Sequence, residues 1–335
     1  MRTAILLTML LAACSNEDLS DAGVGTDGGP ARDGGAAADA GGEDGATPDD
    51  AGAPVDGGDT DAGAIDAGPG CGPQTTRLRV TNRCAEPFWI GHSDNLAIPE
   101  DARVDPGTCF DVAVPDERLE ATRIWPRTGC DASGRECQTG QSVAPCPTGG
   151  CSPPFESKFE ATWADPTTCP PSGGDATCVT WYNASQVDGY TLPFTIVPSA
   201  EGDGCVTSDC SMLSLAQCPA AEDLSQGGLY PELSAVDLRV QDGADTIACL
   251  APCKMLTYPA PWGLGIPETD PRALPFCCPT PPISPEQCTA GPVATSDYVT
   301  RLQTMCPSVY SYAYDDADGL HTCPAPTQFE VVFCP

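Results

Sequence analysis

Apolar positions along the chain fall in short runs punctuated by Gly, Pro and Cys. The runs are Arg77–Thr81, Phe110–Val114, Thr122–Trp125, Lys158–Trp163, Val179–Tyr182, Thr191–Val197 and Phe329–Phe333. Leu78-Arg79-Val80 and Phe159-Glu160-Ala161-Thr162-Trp163 alternate with period 2, the pattern of a strand with one buried face. Short strands at this spacing predict a sandwich or barrel. One segment has helical spacing instead: Ser296 as N-cap, then Tyr298, Leu302 and Met305 on one face. Between Cys205 and Cys288 the chain is loop-rich and dense in cysteine, which predicts a subdomain held more by bridges than by a large core.

The first residues read differently. Arg2 precedes an apolar run from Ala4 to Leu11 that ends in Leu11-Ala12-Ala13-Cys14. The run is far shorter than the roughly 20 residues that cross a bilayer, and it has the layout of a secretory signal over residues 1–13. Leu-Ala-Ala-Cys resembles the bacterial lipobox, which implies that Cys14 is lipidated; an ordinary cleaved signal is the alternative. Ser15 in place of the Asp that retains lipoproteins at the inner membrane points to the outer membrane or cell surface. Residues 14–70 then carry Asp-Ala-Gly repeats with almost no large apolar side chain. Such sequence cannot offset the entropy of ordering and is expected to act as a tether. At Cys71 the composition changes, and 71–335 is expected to be one folded domain.

The formal net charge of −32 excludes nucleic acid as a partner, because phosphate contacts need Lys and Arg. Of 21 cysteines, Cys14 is set aside and the rest make an even number, as an oxidising compartment favours. His92 and His321 are the only histidines, so no Cys/His zinc pattern assembles. Cys249 and Cys253 read as half-cystines rather than as a zinc knuckle. No metal or cofactor is expected, and the domain reads as a monomer.

Several segments together resemble the thaumatin-like (pathogenesis-related) family. They are Val80-Thr81-Asn82-Arg83-Cys84, Ile124-Trp125-Pro126-Arg127-Thr128-Gly129-Cys130, Gly134-Arg135-Glu136-Cys137-Gln138-Thr139-Gly140 and Val187-Asp188-Gly189-Tyr190-Thr191-Leu192-Pro193. Cys277-Cys278, Cys306 through Asp316, and Phe329-Glu330-Val331-Val332-Phe333-Cys334-Pro335 complete the set. The resemblance implies a mainly β fold: an antiparallel sandwich with disulfide-rich loop subdomains (205–288 here) and one or two short helices. Gln141 stands where the family signature has Asp, and insertions lie around Cys169–Cys178, Ala220–Ala235 and Pro259–Pro275.

The resemblance also implies eight disulfides: Cys84–Cys334, Cys130–Cys137, Cys146–Cys151, Cys205–Cys323, Cys210–Cys306, Cys218–Cys249, Cys253–Cys277 and Cys278–Cys288. Of the four cysteines left, Cys169 and Cys178 close a short Pro/Gly-rich loop and are expected to pair. That leaves Cys71 with Cys109, which would pin the end of the tether to the sandwich.

Family members carry an Arg, a Glu and three Asp in a cleft between sandwich and subdomain. The matching positions are Arg127, Glu160, Asn183, Asp188 and Asp315 or its neighbour Asp316, with Asn183 departing from Asp. Clustered carboxylates can bind sugar hydroxyls, or can act as acid and nucleophile or base on a glycosidic bond. Glu160 and Asp188 would be that pair, with Arg127 holding the carboxylates by charge-assisted hydrogen bonds. A purely structural ion network is the rival reading. Trp163, Trp181, Tyr182 and Tyr190 flank these positions, as sugar-stacking surfaces or as core. Asn183-Ala184-Ser185 is a glycosylation sequon, but bacterial export argues against its use.

Three functions follow from the resemblance. The first is a surface-tethered module binding β-1,3-glucan or a similar polysaccharide, with antifungal action. The second is an endo-β-1,3-glucanase using Glu160 and Asp188. The third is a rigid protein-interaction or inhibitor scaffold.

Overall fold

A computed structural model describes residues 70–142, 155–169, 176–200, 202 and 204–335. The body is two β-sheets and a smaller third. The first sheet runs β10 (Ser208–Cys210), β9 (Phe194–Pro198), β15 (Phe329–Phe333), β1 (Leu78–Asn82) and β4 (Cys109–Val112). The second runs β13 (Val309–Tyr310), β7 (Val179–Ser185), β6 (Lys158–Trp163), β5 (Leu119–Arg127), β2 (Phe88–His92) and β3 (Arg103–Val104), with β14 (His321–Pro324) also on β7. A three-stranded sheet joins β11 (Arg239–Asp242), β12 (Asp245–Leu250) and β8 (Gly189–Tyr190). Most ladders are antiparallel; β1 with β15 and β7 with β13 are parallel.

The alternation read in the sequence has a direct physical outcome. On β6, Phe159, Ala161 and Trp163 turn into the core, where Phe159, Trp163 and Tyr182 all pack on Phe329 with ring centroids 5.9, 5.6 and 4.8 Å away. Lys158, Glu160 and Thr162 are left on the opposite face. The strand β2 was not foreseen, because Phe88-Trp89-Ile90 is apolar on both faces and shows no alternation; all three are buried.

The α-helices among the described residues are short: α1 (Pro252–Thr257), α2 (Leu274–Cys277), α3 (Pro285–Thr289), α4 (Asp297–Met305) and α5 (Asp316–Gly319). Helix α4 is the one expected from spacing. The Ser296 hydroxyl accepts from Val299 N–H at 3.3 Å, and the buried Glu222 carboxylate takes the N–H groups of Asp297 and Tyr298 at 2.9 and 2.8 Å.

Nine disulfides are formed among the described residues. They join Cys71–Cys109, Cys84–Cys334, Cys130–Cys137, Cys169–Cys178, Cys205–Cys323, Cys210–Cys306, Cys218–Cys249, Cys253–Cys277 and Cys278–Cys288. Cys84–Cys334 ties the end of β1 to the chain end, and Cys218–Cys249 and Cys253–Cys277 brace the strand and helix that face the sandwich. Cys146–Cys151, Cys14 and the expected tether lie outside the described residues. This bridge density fits an exported protein.

Candidate functional site

The outer face of the second sheet carries the charged residues. Register sets them: Arg123 on β5 lies opposite Glu160 on β6, and Glu160 lies opposite Asn183 on β7. The Arg123 Nε meets Glu160 Oε1 at 2.8 Å, with both side chains partly exposed. Asn183 is buried, and its Oδ1 has no hydrogen-bond partner among the described residues. Trp125, two residues along the same face, lies flat against Gly91 on β2 and donates from Nε1 to the Gly140 carbonyl at 3.0 Å.

Asp188, in the turn before β8, sits between sheet and subdomain. Its Oδ2 is 2.7 Å from the Lys158 ammonium on β6, and its Oδ1 is 3.0 Å from the Lys254 ammonium on α1. Lys158 is 3% exposed. Burial raises the proton affinity of Asp188, but the two ammonium charges and their hydrogen bonds outweigh it and hold the carboxyl well below the usual carboxylate range. The Asp188 carbonyl also accepts from Ala251 N–H at 3.0 Å, fixing the turn against the start of α1.

Two residues before Lys158, Glu156 is fully buried, and among the described residues neither carboxylate oxygen has a partner at good hydrogen-bond geometry. Burial pushes this carboxyl up to about 8, against the opposing charge of Lys158. At neutral pH it is therefore mostly protonated.

Arg127, expected among the carboxylates, donates from Nη1 to the Gly134 carbonyl at 3.0 Å and from Nη2 to the Glu100 carbonyl. The reason is register: Arg127 pairs with Trp89 on β2, beyond the end of the β5–β6 ladder, whereas Arg123 falls beside Glu160. Arg123 was the residue missed. It shares the strand face of Arg127, and only the ladder distinguishes them.

Asp315 and Asp316 also have partners within the protein. Asp315 Oδ2 accepts from the Ser311 N–H at 3.0 Å and the Ser311 hydroxyl at 2.5 Å; burial raises its carboxyl, opposed by these bonds. Asp316 Oδ1 accepts from the Tyr310 hydroxyl at 2.7 Å. Of the flanking aromatics, Trp163, Tyr182 and Tyr190 are buried, and Tyr190 stacks on Tyr298 at 6.0 Å, so these three are core. Trp181 is partly exposed. Among the described residues, no three His, Cys, Asp or Glu are grouped to hold a metal ion.

A disulfide-braced β-sandwich with a charged sheet face beside a cysteine-rich subdomain defines the class. The chain matches the Thaumatin family over residues 82–335, and it belongs to that family. A glucan endo-1,3-beta-glucosidase of Prunus avium is 31% identical over 221 residues, covering 64% of this chain and 71% of the relative. Thaumatin-like protein 1 of Prunus persica is 27% identical over 278 residues, covering 79% and 92%. Among solved structures, a laminaripentaose-producing beta-1,3-glucanase in complex with laminaritetraose aligns over 78% of this chain and 99% of its own. Its TM-score is 0.43 and its identity 13%, too slight a likeness to argue from.

Proposed function

We propose that the domain is a binding module for β-1,3-glucan or a closely similar polysaccharide. Its ligand lies along the face formed by Arg123, Glu160, Asn183 and Asp188, with Asp315 and Asp316 at the subdomain side and Arg127 bracing the far loop. The observation that carries this reading is the line of Arg123, Glu160 and Asn183 across three neighbouring strands, in a chain whose relatives include a glucan endo-1,3-beta-glucosidase. Such a row of polar groups on a rigid sheet suits the repeating hydroxyls of a glycan.

Binding is favoured over hydrolysis. A glycosidase needs one carboxyl that holds a proton at the scissile oxygen and a second that attacks or activates water. Both oxygens of Asp188 are engaged by lysine, and Glu160 is paired with Arg123. The third position of the set, Asn183, cannot titrate. The endo-glucanase reading keeps one support, the name of the Prunus avium relative. Export through residues 1–13, lipidation at Cys14 and tethering by residues 14–70, with the domain a monomer at the cell surface, complete the proposal.

The test is co-sedimentation with insoluble β-1,3-glucan, together with an assay of reducing ends from laminarin. Binding without new reducing ends, weakened in Glu160→Gln, is the expected result. Release of reducing ends that Glu160→Gln abolishes would establish the enzyme instead, and no sedimentation would end the glucan reading.

A further inference from the structure

Lys158 and Lys254 have no place in the set of site residues read from the sequence, yet they meet the same carboxylate from opposite sides. Lys158 belongs to a strand of the sandwich, and Lys254 to the subdomain helix next to the Cys253–Cys277 bridge. Between them, Asp188 precedes Gly189, whose backbone is packed so closely that an added Cβ would fall 2.3 Å from the Cys249 carbonyl and 3.0 Å from that of Phe155. Any side chain at position 189 would therefore displace the turn that carries Asp188.

We propose that Lys254 is a positioning residue of the cleft: with Lys158 it occupies both oxygens of Asp188 and so locks the Val187–Gly189 turn between the sandwich strand and helix α1. This rests on the polysaccharide-binding reading. Asp188 thereby meets two positive charges, one from each side of the cleft. Arg123 answers Glu160, the two lysines answer Asp188, Asn183 is neutral, and Glu156 behind Lys158 is protonated. Tyr298 also lies within electrostatic reach of Asp188; burial holds its hydroxyl neutral, and the hydroxyl donates to the Gln186 carbonyl at 2.6 Å. Lys254 is the member that a substitution can reach with least harm, because it is more exposed than Lys158 (16% against 3%) and its Nζ also lies over the Tyr258 ring, 5.1 Å from the centroid.

The test follows the Asp188 carboxyl carbon by NMR against pH, alongside laminarin affinity at pH 4 and pH 7. In the wild type the carboxyl stays ionised at pH 4, and the two affinities agree within about twofold. In Lys254→Met the carboxyl titrates at distinctly higher pH, and laminarin binds at least fivefold more weakly at pH 4 than at pH 7. Lys254→Arg restores the flat profile. Unchanged titration and unchanged affinity in Lys254→Met would overturn the proposal. So would a wild-type Asp188 titrating as an ordinary carboxylate, a measurement that needs no variant to fold. If no form binds laminarin, the glucan reading falls, and the titration still decides whether Lys254 holds Asp188.

Discussion

Arg123 and Glu160 face each other across the β5–β6 ladder, and their side chains close an ion pair of 2.8 Å on the exposed side of the sheet. Both are partly exposed, so the pair contributes little to stability, on the order of 0.2–1 kcal/mol. Its value lies in fixing the Glu160 carboxylate on the strand next to Asn183. Arg123→Ala is expected to lower Tm only slightly while weakening laminarin binding about tenfold. Isothermal titration calorimetry and thermal denaturation on the same samples separate the two effects. A large loss of Tm with affinity intact would make the pair purely structural.

The buried Glu156 predicts a pH dependence of stability. Its carboxyl is raised from an ordinary 4.5 to about 8, so the folded protein keeps a proton that the unfolded chain has released. More protons bound in the folded state means that stability falls as pH rises between those values, by up to about 1.4 kcal/mol per pH unit. Glu156→Gln keeps the shape of the protonated acid and removes the slope. The Tm advantage of this variant over the wild type is therefore expected to grow from pH 5 to pH 8. The same difference at both pH values would show that Glu156 does not hold its proton.

Asp188 predicts the opposite sign. Its carboxyl is depressed in the folded state, so the clamp's contribution is present above the unfolded value near 3.8 and is lost only as pH falls through the depressed one. Asp188→Asn leaves the deeply buried Lys158 ammonium without its counter-charge, a loss of roughly 3–5 kcal/mol. Urea denaturation at pH 7 is expected to show that loss. A midpoint shift worth under about 1 kcal/mol would mean that the lysines find other partners.

The Trp125 ring depends on an absent side chain. A Cβ at Gly91 would lie 2.2 Å from Trp125 Nε1, so Gly91→Ala must lift the indole off β2 and break its bond to the Gly140 carbonyl. Reduced glucan affinity with a red-shifted Trp emission is expected. Because Trp125 shares the strand face of Arg123, unchanged affinity would show that the glycan does not reach as far along β5 as the indole.

Much of the scaffold could be read before any coordinates, because it depends on local patterns. Period-2 alternation located β6 with its exact ends, and the Ser296 cap located α4. The site was legible only in part. Glu160 and Asp188 were named, but which cation meets each carboxylate depends on strand register. A bulge between Leu119 and Thr122 sets the β5–β6 register, and sequence spacing does not reveal it. Arg127 came from the family motif, and Arg123 was not weighed. Lys254 was invisible for a different reason: it reaches Asp188 from another sheet-and-helix unit, so no short-range pattern connects them. Trp163 and Tyr182, left open in the sequence as stacking surfaces or core, are buried in the structure.

Mapping the contact surface decides the central claim. Backbone amide shifts of the labelled domain are to be followed during titration with a soluble laminari-oligosaccharide. The account predicts saturable changes concentrated at residues 123–127, 158–162 and 181–189 and around Lys254. Changes centred on another face of the molecule, with those amides unmoved, would contradict it.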